Sequence, residues 1–129
     1  MNIVGLGIDI VNIERFDKVI TQRGKAFLEK VFTCKEQEYA GGKKAYSMHM
    51  AGKFAAKEAV KKALPDGAEI GLNWADIEIL NDKDGKPYVC LHGHAGKLME
   101  KFGIAKILVS ISHTKDYAAS NAMAVTNGT

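Results

Sequence analysis

A chain of 129 residues, 47% hydrophobic and 26% charged, is long enough to bury its own core and reads as one domain, 1–129. The formal net charge of +3 is too small to imply nucleic acid by itself, yet it suits an acidic partner or a phosphorylated ligand. No basic-apolar-small leader opens the sequence and no apolar run approaches membrane-spanning length, so a cytoplasmic protein without membrane contact is expected.

Residues 3–11 alternate as a strand does. Val4, Leu6, Ile8 and Ile10 fall on one face, expected to be core, and Gly5, Gly7 and Asp9 on the other. Glycine weakens a strand interior, so two on one face predict close approach of another backbone or of a ligand. Asp9, on that stripped face, reads as the cap of the next element or as a site residue. Asn12 is the expected N-cap of a helix to about residue 22, with Ile13, Phe16, Val19 and Ile20 inward and Arg15 and Lys18 on another face. Gly24 breaks it, and residues 25–32 continue as a short helix. Thr33 and Glu36 have capping-box spacing, which predicts a third helix ending near Gly41 and Gly42. A long helix over about 45–64 follows, stopped by Pro65.

Residues 65–73 read as a loop containing Gly67 and Gly71. Residues 75–80 and 88–91 read as strands, joined into a hairpin by the turn sequence 81–85. A helix is expected over 94–102, a strand over 106–112, a turn over 113–116 and an antiparallel return strand over 117–125, with a fraying tail behind it. That last strand is expected to be a sheet edge at a subunit contact. The order gives an α+β class, with helices packed on a mainly antiparallel sheet. Cys34 and Cys90 lie far apart without metal spacing and read as free thiols.

The stretch 53–64 is the best helix in the chain. Ala55, Ala56, Ala59 and Ala63 fall on one side, with Val60 and Leu64 beside them, so another backbone can pack close. Lys57, Glu58, Lys61 and Lys62 are expected on the other side, and Glu58 is the sole carboxylate of the helix. One reading is a solvated face with a Glu58–Lys62 pair. The other is a phosphate site, with Lys57, Lys61 and Lys62 meeting oxygens while Glu58 and Asp9 share a divalent ion. Magnesium favours oxygen ligands and is typically held by one or two carboxylates plus substrate phosphate. The turn Ser112-His113-Thr114-Lys115 reads as a plain surface turn or as a phosphate or ribose contact from His113, Thr114 and Lys115. A Ser–His nucleophile is disfavoured because adjacent side chains on an extended segment point apart. His49, His92 and His94 show no metal spacing.

Five motifs stand in order along the chain: Gly5-Leu-Gly-Ile-Asp-Ile-Val11, Lys53-Phe-Ala-Ala-Lys-Glu-Ala59, Asp76-Ile-Glu-Ile79, Gly85-Lys-Pro87 and Ser110-Ile-Ser-His-Thr114. Together they resemble the holo-acyl-carrier-protein synthase family, the small phosphopantetheinyl transferases. The resemblance implies a trimer of α+β subunits with sites at the subunit interfaces. It implies transfer of 4′-phosphopantetheine from coenzyme A to a serine of an acyl carrier protein, in fatty acid biosynthesis, releasing adenosine 3′,5′-bisphosphate. By the family pattern Asp9 and Glu58 ligate magnesium, and Lys62 contacts the phosphates. His113 and Thr114 match the turn on the 3′-phosphate side, and Gly85, Lys86 and Pro87 lie near the adenine. Arg15 matches a basic position that docks the carrier. Lys53 stands where many relatives have Arg, a point charge in place of a bidentate fork. Glu58 is the first candidate for the base that takes the serine proton. Two other readings are a magnesium-dependent nucleotide hydrolase using the same carboxylates, and a non-catalytic basic module.

Overall fold

The computed structural model describes residues 1–65 and 71–128. The chain runs β1 (Asn2–Asn12), α1 (Ile13–Val31), α2 (Cys34–Ala40), α3 (Tyr46–Ala63), a 3₁₀ turn (Trp74–Asp76), β2 (Ile77–Asn81), β3 (Pro87–Leu91), α4 (Gly93–Lys101), β4 (Ile104–His113) and β5 (Tyr117–Thr126). The α+β class expected from the sequence is borne out. Part of the loop expected over 65–73, with Gly67, lies outside the described residues, as does the last residue of the expected tail.

Local chemistry sets the element ends. Asn12 Oδ1 accepts from Arg15 N at 2.8 Å and starts α1, while Gly24, at φ 69°, kinks it. The Thr33–Glu36 capping box forms as predicted and opens α2. The hairpin β2–β3 is antiparallel and closes through Asp82, whose Oδ1 accepts from Asp84 N and Lys86 N, both at 2.9 Å. Cys34 and Cys90 are free.

The larger sheet has the order β1-β5-β4, antiparallel throughout. The last strand is therefore its centre, paired on both sides, and not the edge that its apolar composition suggested. Small alanines there serve a second purpose. Ala118, Ala122 and Ala124 lie buried under α3, whose own Ala56, Ala59 and Ala63 face them. Small residues on both layers let the helix lie close to the sheet.

The same closeness inverts the reading of β1. The face of Gly5, Gly7 and Asp9 turns inward. A Cβ added to Gly5 would stand 1.8 Å from the Ala63 carbonyl oxygen, and one on Gly7 would stand 1.9 Å from that of Ala59. The glycines are thus explained by backbone approach, one of the two reasons expected. The apolar face points outward: Leu6, Ile8 and Ile10 are 66%, 69% and 65% exposed. In register beside them lie Met123, Asn121 and Ala119 of β5, then Leu108, Ser110 and Ser112 of β4. The core expected over Val4, Leu6, Ile8 and Ile10 is instead a broad uncovered surface.

A second unexpected feature fixes α3 to the hairpin. Strand β2 pairs only with β3, so its other edge needs partners. Side chains supply them. Lys57 Nζ donates to Ile77 O at 2.5 Å and Trp74 O at 3.1 Å, and Lys53 Nζ donates to Ile79 O and Asn81 Oδ1, both at 2.6 Å. Glu36 Oε2 accepts from Ile79 N at 2.8 Å, and its Oε1 pairs with Lys57 Nζ at 2.8 Å. Lys57 and Glu36 are fully buried. With every donor and acceptor engaged, breaking such a pair by losing one partner costs about 3–5 kcal/mol.

Candidate active site

Asp9 and Glu58 meet because of the glycines. Gly7 admits the Ala59 carbonyl, so the residue before Ala59 reaches the strand beside Asp9. Both carboxylates line one cavity of about 310 Å³, together with Asn12, Arg15, Phe16 and Phe54. Glu58 is half-buried, and no hydrogen bond among the described residues reaches its carboxylate. Burial pushes its pKa up, Lys61 opposes that, the neighbouring Asp9 adds to it, and Lys62 opposes it.

Lys62 does not pair with Glu58 at i, i+4. It crosses to β1, where Nζ donates to Ile8 O at 2.9 Å and meets Asp9 Oδ1 at 3.2 Å. Lys61 lies over the Trp74 ring, 3.9 Å from its centroid. Lys57, expected beside Glu58, belongs instead to the buried side of α3, in the pair with Glu36. Lys53 is likewise 3% exposed and engaged by β2. Burial lowers the Lys53 pKa to about 8, against the opposing pull of Glu36, and burial also lowers that of Lys57. Their placement was legible in part, since Lys53, Lys57, Val60 and Leu64 share one helical row.

The remaining site residues lie elsewhere in the subunit. Gly85 and Lys86 are exposed in the hairpin turn, with Gly85 at φ 86° and Pro87 opening β3. His113, Thr114 and Lys115 are exposed at the β4–β5 turn, and Thr114 Oγ1 accepts from Asp116 N and Tyr117 N at 3.3 and 3.2 Å. None of these lines the cavity of Asp9 and Glu58. The His49 pKa is lowered by burial, then by the charges of Lys43, His113 and Lys53. Of the other residues that line the cavity, Phe16 and Asn12 were read from sequence only as packing and capping residues, and Phe54 only as part of a motif. Phe54 also lies against Trp74, with centroids 5.0 Å apart.

Residues 5–122 match the model of the 4′-phosphopantetheinyl transferase superfamily. The chain belongs to this superfamily. It is 47% identical over 120 residues to a holo-acyl-carrier-protein synthase of Protochlamydia amoebophila, covering 93% of this chain and 96% of that protein. Its fold is similar to the crystal structure of a holo-ACP synthase from Plasmodium yoelii, with a TM-score of 0.83, 35% identity and 98% of each chain covered. It is similar also to the Helicobacter pylori holo-acyl-carrier-protein synthase in complex with coenzyme A, with a TM-score of 0.81, 32% identity, and 93% and 99% of the two chains covered. Within this transferase fold, the two carboxylates of β1 and α3 are the best-formed chemical site.

Among the described residues, no cluster of three or more His, Cys, Asp or Glu could hold a metal. Asp9 and Glu58 therefore offer two oxygen ligand groups and no closed cage. That donor set fits magnesium, which keeps water and phosphate oxygens in its shell.

Proposed function

We propose that this transferase moves 4′-phosphopantetheine from coenzyme A to a serine of an acyl carrier protein, converting apo to holo carrier for fatty acid biosynthesis. The observation that carries the reading is the shared cavity of Asp9, Glu58 and Arg15 within a fold that belongs to the phosphopantetheinyl transferases. A relative of similar fold is described in complex with coenzyme A.

Asp9 and Glu58 would hold magnesium. When bound, the ion neutralises charge on the diphosphate as the bond to the leaving phosphate breaks. The chain's own residues do the rest. Lys62, beside Asp9, contacts a diphosphate oxygen. The carrier serine oxygen forms the new bond to the phosphorus of the phosphopantetheine. The phosphoanhydride bond breaks, and adenosine 3′,5′-bisphosphate leaves. Glu58 is the carboxylate placed to take the serine proton. Positioning is the main catalytic contribution. Arg15, exposed at the cavity wall, docks the acidic carrier. Lys61, held over Trp74, contributes its charge to the phosphate site from beside Glu58. His113, Thr114 and Lys115 bind the 3′-phosphate side, where the Thr114 hydroxyl still has its hydrogen to donate. Gly85, Lys86 and Pro87 lie on the adenine side.

The working unit in this reading is a homotrimer of single-domain subunits. Its support is the uncovered apolar face of β1, β5 and β4. In this reading the β4–β5 turn of a neighbouring subunit completes the site. Among the described residues no helix is long and apolar enough to cross a membrane, and a cytoplasmic location is proposed.

Mass spectrometry of an apo carrier protein incubated with this protein, coenzyme A and magnesium tests the function. The carrier should gain one phosphopantetheine, and Asp9→Ala and Glu58→Ala should each abolish the gain without loss of fold. Consumption of coenzyme A without carrier would indicate the nucleotide hydrolase instead.

A further inference from the structure

Lys62 bonds an oxygen that a cation at Asp9 would also use. We infer that Lys62 is an internal competitor for the metal, and that it couples metal binding to arrival of the diphosphate. The inference rests on the proposed magnesium site and concerns how that site fills.

The geometry sets up the competition. A lysine four residues after a glutamate on a helix ordinarily reaches back to it. Lys62 instead reaches β1, where Ile8 O at 2.9 Å anchors the ammonium and Asp9 Oδ1 lies at 3.2 Å. The Ile8 carbonyl gives the ammonium a second acceptor beside Asp9. The side chain of Lys62 is 53% exposed and that of Asp9 19%, so the ammonium can swing while the carboxylate stays put. Lys61, one residue away, is held over Trp74 at 3.9 Å and bonds neither carboxylate.

Charge then decides what the site accepts. Asp9 and Glu58 supply the two carboxylates, and Lys62, with Lys61 and Arg15 nearby, already supplies positive charge. A divalent ion arriving alone overshoots this balance and meets the ammonium at close range. A divalent ion arriving with a diphosphate does not, because the phosphate oxygens give the ammonium a new acceptor and return Asp9 to the metal. Metal and diphosphate are thereby selected as a unit, and the coupling is reciprocal: each raises the affinity for the other by the same factor.

The test is calorimetric titration of manganese or magnesium into the intact protein, with and without coenzyme A, for wild type, Lys62→Met and Lys61→Met. Wild type should bind metal weakly alone and more tightly with coenzyme A. Lys62→Met should bind metal alone about three- to tenfold tighter, a modest gain because the ammonium is partly solvated. It should also lose most of the enhancement by coenzyme A. Lys61→Met removes a charge that acts on Glu58 but no bond to Asp9, and should tighten metal binding by less than Lys62→Met does. Unchanged or weaker metal binding in Lys62→Met overturns the inference, as does an equal gain in Lys61→Met, which would make the effect one of net charge. Failure of wild type to bind metal even with coenzyme A would instead overturn the magnesium site itself.

Discussion

Gly7 and Ala59 touch backbone to backbone: a Cβ on Gly7 would stand 1.9 Å from the Ala59 carbonyl oxygen. This contact sets the distance between β1 and α3, and so brings Glu58 to Asp9. Gly7→Ala must push the helix off the strand. The expected loss is about 3 kcal/mol or more, read as a lower urea midpoint. Gly52→Ala is the comparison, because its Cβ would meet only the side-chain Ile111 Cγ2, at 3.0 Å, and should cost less. A Gly7→Ala midpoint near wild type would sink the account of how the site is built.

Much of this was legible in the sequence. Caps, kink, hairpin and helix ends follow from short-range chemistry at Asn12, Gly24, Thr33, Glu36 and Gly85. The direction of β1 was not. Alternation shows that one face is apolar, but it does not say whether this chain or another covers it. The signal lay in a match between distant residues, Gly5 and Gly7 against Ala59 and Ala63. The central position of β5 was hidden for the same reason, since pairing partners are not local. Glu36 was read correctly as a capping residue, yet its other oxygen serves Ile79, which no local pattern reveals. Asp9 and Glu58 were legible because each was a lone carboxylate on a surface of small residues.

The uncovered sheet face carries the assembly prediction. Ile8 and Leu6 lie on its β1 edge, 69% and 66% exposed in the single subunit. Wild type should sediment as the proposed trimer and Ile8→Asp as a monomer. Because Ile8 points away from the core, the isolated subunit should keep its helical circular dichroism while losing transfer activity. A wild-type protein that is monomeric and fully active would end the trimer proposal.

Arg15 is an exposed cation on the cavity wall, whereas Lys18 is shared with Glu14 at 3.6 Å. Arg15→Glu should therefore raise the KM for carrier far more than Lys18→Glu does, with little change in the KM for coenzyme A. Added salt should weaken the wild-type carrier interaction, since exposed charges are screened beyond about 8 Å at physiological ionic strength. Equal effects on both substrates would point to a folding defect.

Lys53 gives a pH dependence with a definite sign. Its folded pKa is lowered to about 8 from the ordinary lysine value of 10.5, mainly by burial. Below both values the folded and unfolded chains each carry the proton, and the burial cost is felt in full. Between them only the unfolded chain holds it, so this group makes stability rise with pH, by up to about 1.4 kcal/mol per pH unit. Above both values the gain is complete. The stability difference between wild type and Lys53→Met, from urea titrations at pH 7 and 9.5, should shift in favour of wild type at the higher pH. A difference independent of pH would mean that Lys53 keeps an ordinary pKa despite its burial.

The β4–β5 turn separates two roles for His113. As a base for the carrier serine, His113 would matter equally with every phosphopantetheine donor. As a ligand of the 3′-phosphate, it would matter only when that phosphate is present. The second role is the one expected, because His113 is exposed and shares its turn with Thr114 and Lys115. Transfer rates with coenzyme A and 3′-dephospho-coenzyme A, for wild type and His113→Ala, decide between them. Wild type should discriminate against the dephospho donor, and His113→Ala should lose most of that discrimination. A hydrogen bond to a charged group contributes roughly 1.5–3 kcal/mol, so the gap in kcat/KM should shrink by about one to two powers of ten. Equal impairment with both donors would move His113 into the chemical step and remove Glu58 as the base.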